Sequence, residues 1–129
     1  MLDFDDTPFK MVKYWALMAC RWFQLDGFLI LKSSENNYHV VFNRTVSWDE
    51  NMHIVAWICL QAHIEPLNKW FIMQCIKEAS TLRLSPKVDK PSPRIVFRYG
   101  KECVEISNYL QYRRRTKDIL RRRALASKI

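Results

Sequence analysis

Asp3 and Asp5 stand two residues apart in the opening Met1-Leu-Asp-Phe-Asp-Asp-Thr-Pro8. On a strand that spacing turns both carboxylates to one face. Like charges side by side on a sheet repel unless a cation sits between them. Hard oxygen ligands of this kind suit Mg²⁺ or Mn²⁺, which bind through one or two carboxylates and the phosphates of a substrate. The plainer reading is that the acids favour the N-terminus of the helix that follows. A second chemical group lies further on. His39 falls just behind the turn cluster Ser33-Ser-Glu-Asn-Asn37, where an imidazole at a sheet edge can meet a phosphate.

The elements that would position these groups follow from the pattern of apolar residues. Leu29-Ile-Leu31 and Val40-Val-Phe42 flank the polar cluster, and both runs suit a buried sheet, so an antiparallel hairpin is the economical reading. Its loop has no glycine, and Asn36 and Asn37 are the residues best able to take a left-handed conformation. Met1 to Asp5 reads as a strand. Thr7-Pro8 reads as an N-cap with proline opening a helix to about Gln24. Its aromatics Tyr14, Trp15, Trp22 and Phe23 are expected to pack, because a helix covering a sheet needs that area.

Ser47-Trp-Asp-Glu50 is a capping box for a second helix reaching about His63. His53 and His63 read as ordinary surface or end-of-helix histidines. Leu67 to Ile76 is ambiguous between strand and helix. Thr81 to Ser85 reads as a strand, Ser85 to Pro93 as a proline-rich loop, and Arg94 to Tyr99 as the last strand, ended by Gly100.

From Cys103 onward the chain reads as a helix. Between Tyr109 and Ile129 eight Lys or Arg stand against one acid, Asp118, so most of the formal charge of +8 is local. Arg113-Arg-Arg115 and Arg121-Arg-Arg123 lie eight residues apart on overlapping sides of such a helix, with Lys117 between them. Weak apolar character beyond residue 112 favours a phosphate backbone over a membrane surface as the partner.

Residues Asp3-Phe-Asp5, followed after one helix by Lys32-Ser-Ser-Glu-Asn-Asn-Tyr-His39-Val-Val-Phe42, resemble the archaeo-eukaryotic primase superfamily and the polymerase modules of bacterial end-joining ligases. The resemblance covers roughly residues 1–99. It implies metal ligation by Asp3 and Asp5 with Mg²⁺ or Mn²⁺ as cofactor, and a catalytic role for both with His39. It also implies a nucleoside triphosphate held by Lys32, Ser33, Ser34 and His39, with Arg83 and Lys87 near its phosphates. The family's third acidic motif would fall near Trp70-Phe-Ile-Met-Gln-Cys75, where Met73 or Gln74 stands instead and Glu78 is the nearest carboxylate.

The expected fold is α+β, a ferredoxin-like or RNA-recognition-motif-like sheet with helices on one face. Residues 1–101 would form the core and 102–129 a basic helix binding nucleic acid through Arg113, Arg114, Arg115, Lys117, Arg121, Arg122 and Arg123. Apolar residues at 49% exclude a disordered chain. Four cysteines without C-x-x-C spacing imply reduced thiols. With no signal peptide or membrane-length apolar run, a cytoplasmic location follows. The expected function is a small primase-polymerase-like DNA replication protein, acting on DNA more than RNA, with a larger replication protein as a possible partner. The alternatives are a non-catalytic nucleic-acid-binding descendant and a rolling-circle initiator with Tyr109 or Tyr112 as nucleophile.

Overall fold

A hairpin lies at the centre of the sheet. In the computed structural model, which describes residues 1–78, 93–100 and 104–127, β2 (Gly27–Ser34) and β3 (Asn37–Phe42) pair antiparallel from Phe28↔Phe42 to Ser34↔Asn37. Asn36 closes the turn at φ 58°, the left-handed conformation that its short polar side chain tolerates. β1 (Leu2–Phe4) lies along the outer edge of β3, with Leu2↔Val40, Asp3↔His39 and Phe4↔Tyr38. Between β1 and β2 runs α1 (Phe9–Trp22), so β3 separates two strands joined by a helix, as in a split β-α-β unit.

α2 (Trp48–Ala62) and α3 (Glu65–Lys77) follow, then β4 (Arg94–Gly100) and α4 (Val104–Ala126). The sheet order is β1-β3-β2-β4, all antiparallel. The class is α+β. In a ferredoxin-like sheet β4 would flank β1, whereas here it takes the free edge of β2. The physical reason is visible at the start of that pairing. Gly27 faces Gly100, and these are the only two glycines in the chain. A Cβ on Gly27 would run into the carbonyl of Tyr99, and one on Gly100, at φ 77°, into that of Asp26.

Local signals set the helix ends. Ser47 caps α2 by accepting from the Glu50 amide at 3.2 Å. At α1 the N-cap is Pro8, and the Thr7 hydroxyl donates instead to the Asp5 carbonyl at 2.9 Å. The ambiguous stretch around Leu67–Ile76 is helical because Pro66 opens α3 in its first turn.

Both faces of the sheet are covered. On one, Leu2, Phe4, Phe28, Ile30, Tyr38 and Val40 are buried under Val12, Ala16 and Ala19 of α1, Ile54, Val55 and Ile58 of α2 and Leu67 of α3. On the other, Leu29 and Leu31 are buried with Leu110 of α4, flanked by Val41, Ile95 and Tyr109. Helices were expected on one face only, and the fourth takes the other because Leu29 and Leu31 must leave water as well. Of the α1 aromatics, Trp15 and Phe23 pack on the core as expected, whereas Tyr14 and Trp22 stay 53% and 66% exposed. The strand expected at Thr81–Ser85 and most of the following loop lie outside the described residues.

Replacing Gly100 by alanine forces a side chain into a left-handed position already filled by backbone. The expected loss is about 2–4 kcal/mol, read as a lower urea midpoint at unchanged m-value. Alanine at Ser127, in the exposed turn after α4, should change the midpoint little.

Candidate nucleic-acid interface

Strand alternation places Asp3 and His39 on the face that α4 covers, since their neighbours Leu2, Phe4, Tyr38 and Val40 all point to the other core. Asp3 Oδ1 lies 3.3 Å from His39 Nδ1, with the two side chains 23% and 13% exposed. Asp5 does not join them. β1 ends at Phe4 and the chain turns at Asp6, where φ is 48°. Asp5 instead lines an open groove beside Glu65, Lys69, Trp70, Met73, Gln74 and Lys77 of α3. The alternation that would align two carboxylates requires the strand to continue, and it stops one residue short.

Met73 and Gln74, where the resemblance would put a third acid, line the groove beside Asp5. Glu78 ends α3 in a left-handed conformation and is exposed. Among the described residues no three His, Cys, Asp or Glu side chains gather as a metal site. Asp3 and His39 are one carboxylate and one imidazole. That set does not fit a pair of hard cations, which call for several oxygens.

The expected phosphate cradle also divides. Lys32 pairs across to Tyr38, so alternation puts it on the face opposite His39. Its Nζ holds Glu35 Oε2 at 2.8 Å, and this hydrogen bond keeps the Glu35 carboxyl below its usual range. Ser33 Oγ donates to the Asn37 carbonyl, while the Asn37 amide donates to Ser34 Oγ at 2.6 Å. Asn37 Oδ1 accepts from the Asp6 amide, and the Asn36 carbonyl accepts from the Thr7 amide at 2.8 Å. The Asn37 side chain and the Asn36 carbonyl tie the hairpin tip to the β1–α1 link. Arg83 and Lys87 lie outside the described residues.

The strongest charge feature is α4. Its 23 residues span about 34 Å, and its two halves differ. Near the sheet, Leu110 is buried and Tyr109 half-buried. Arg113 is only 8% exposed, and its guanidinium donates to the carbonyl of the buried Pro93. This residue was expected on a phosphate. It instead pins the helix to the start of β4, because it follows Leu110 by three positions on the same side. Beyond it the helix emerges. Arg114, Arg115, Lys117, Arg121, Arg122 and Arg123 are all exposed. Arg114, Lys117 and Arg121 share one stripe, and Arg115 and Arg122 share the next. Partial burial and the neighbouring Arg113 charge lower the Lys117 pKa. No helix among the described residues is long and apolar enough to cross a membrane.

Burial pushes the Tyr109 phenol up to about 12, with Arg113 opposing. That shift runs against nucleophilic use near neutral pH. Tyr112 is exposed, with Arg115 set over its ring at 6.0 Å.

No family model, no curated protein and no solved structure matches this chain. The primase resemblance rests on the residues named above.

Two outcomes are expected. Arg113→Ala should loosen α4 and cost about 1–3 kcal/mol, whereas Arg114→Ala should leave the urea midpoint within about 0.5 kcal/mol of wild type. Tyr109 should give a late step in an ultraviolet titration, above the ordinary phenol range. Because its folded pKa is raised, its contribution is complete below pH 10 and is lost as pH rises toward 12. Tyr109→Phe should remove both the late absorbance step and that part of the alkaline destabilisation.

Proposed function

We propose that the protein is a nucleic-acid-binding module that grips a phosphate backbone through the outer half of α4, on DNA in preference to RNA. The observation that carries this reading is the run of exposed cations from Arg114 to Arg123 on a helix anchored by Leu110 and Arg113. Anchoring matters because a cationic segment held in place loses less conformational entropy on binding than a free tail. Contacts of this type neutralise phosphates and release counterions. They position a chain on a duplex without reading its bases.

In this reading the Asp3–His39 face is a descendant of a nucleotide site, and the chain need not catalyse. A second reading is favoured by the 3.3 Å pairing of Asp3 with His39. It is a primase-polymerase-type nucleotidyltransferase in which these residues face a nucleoside triphosphate and Mg²⁺ or Mn²⁺. A larger replication protein is a natural partner for either form.

Changing Arg114, Arg115, Arg121, Arg122 and Arg123 together to alanine should weaken duplex binding at least 100-fold at low salt. The slope of log affinity against log salt should shrink by about 0.9 for each phosphate no longer neutralised, with little dependence on base sequence. An unchanged slope would remove α4 from the interface. For the second reading, triphosphate binding should require Mn²⁺ or Mg²⁺ and fall at least tenfold in both Asp3→Ala and His39→Ala. Binding insensitive to both variants would leave the backbone-binding reading alone.

A further inference from the structure

Trp22 is an unusual residue to leave in water. It is 66% exposed at the C-terminal end of α1, and one face of its indole is stacked on Trp57 of α2, with centroids 5.3 Å apart and planes at 17°. Trp57 is in turn held edge-on by Phe23, at 5.6 Å and 87°, and packs on the main core. The inner ring is thus fixed, and the outer ring is pre-oriented against it with its other face open. Burying a tryptophan would remove a large apolar area from water, so leaving this one open has a cost that a ligand could offset.

α1 itself is basic, and one exposed acid, Asp26, lies just beyond its C-terminal end. No Asp or Glu occurs between Thr7 and Leu25, whereas Lys10, Lys13 and Arg21 do. Arg21 adjoins Trp22 and is exposed. Lys13 lies over the Phe97 ring at 4.6 Å. The acids of α2, Asp49 and Glu50, lie at its first turn, about two turns from Trp57. Tyr14, Met18 and Trp22 repeat at helical spacing along the same side, and Tyr14 is 53% exposed.

We infer that this face of α1 receives single-stranded nucleic acid, with an unpaired base stacked on the open face of Trp22 and the neighbouring phosphate near Arg21. A flat partner fits a pre-formed stack of two indoles, and every base offers a π-face. The inference rests on the nucleic-acid reading of α4 and extends it from backbone contact to a preference for unpaired strands. α4 and α1 lie on opposite faces of the sheet, so the two contacts are separate and can be tested separately.

The test is binding of a labelled oligothymidylate and of a duplex of equal length, by fluorescence anisotropy, to wild type, Trp22→Ala and Trp22→Phe. Trp22→Ala should weaken the oligothymidylate about tenfold while leaving the duplex affinity and both salt slopes unchanged. Trp22→Phe should restore most of the loss. Equal loss on both ligands, or none on either, would overturn the inference. So would a Trp22→Ala defect confined to vesicles of phosphatidylserine and phosphatidylcholine, which would assign the face to a bilayer. The five-arginine variant separates the two claims. If it keeps the oligothymidylate-induced quench of tryptophan emission but loses the duplex, both contacts stand. If wild type binds no duplex yet shows the quench, α4 fails and Trp22 survives; duplex binding without a quench gives the reverse.

Discussion

Burial of β2 on both faces is the constraint on which the rest of the molecule depends. Phe28, Leu29, Ile30 and Leu31 are each 2% exposed or less, and each such side chain contributes about 1.5–3 kcal/mol only if something covers it. Phe28 and Ile30 are covered by the layer of α1, α2 and α3. Leu29 and Leu31 need a second layer, and Leu110 of α4 supplies it. β3 and β4 flank β2 in the plane, so the strand is enclosed on four sides. The paired glycines at the start of β2 and the end of β4 permit the close approach that completes this enclosure.

That requirement fixes how α4 is divided. The first half must be apolar enough to sit on Leu29 and Leu31, and Arg113 finishes the contact through the Pro93 carbonyl. The second half is cationic and mostly exposed. Because the anchor is set by the core, the projecting cations are held at a defined place on the protein without needing packing of their own. A stability requirement thereby positions a binding surface.

Much of this was legible from residue order. The hairpin and its Asn36 turn follow from two apolar runs flanking a polar, asparagine-bearing cluster, and the shared face of Asp3 and His39 from the geometry of strands once these are placed. The cover on the second face was not foreseen, although the unbroken apolar run Phe28-Leu-Ile-Leu31 is the pattern of a strand buried on both sides. Nor was the edge chosen by β4, since it depends on a contact between residues 27 and 100 that no local pattern encodes. Asp5 was misplaced for a local reason: alternation was extended past Phe4, and the turn at Asp6 breaks it. The exposure of Trp22 was hidden because apolar spacing on α1 continues around two sides of the helix, and sequence alone does not say which side meets the sheet.

The most direct test of the central claim, that the outer half of α4 meets nucleic acid, is amide hydrogen exchange of the intact chain with and without duplex DNA. Residues 114–127 should exchange fastest among the helices in the free protein, since they are solvated on nearly all sides, and should slow markedly when the duplex is added. Residues 32–37, whose side chains are committed to the hairpin turn, should be unaffected. Protection appearing at 32–37 while 114–127 stay unchanged would contradict the account and move the interface to the hairpin.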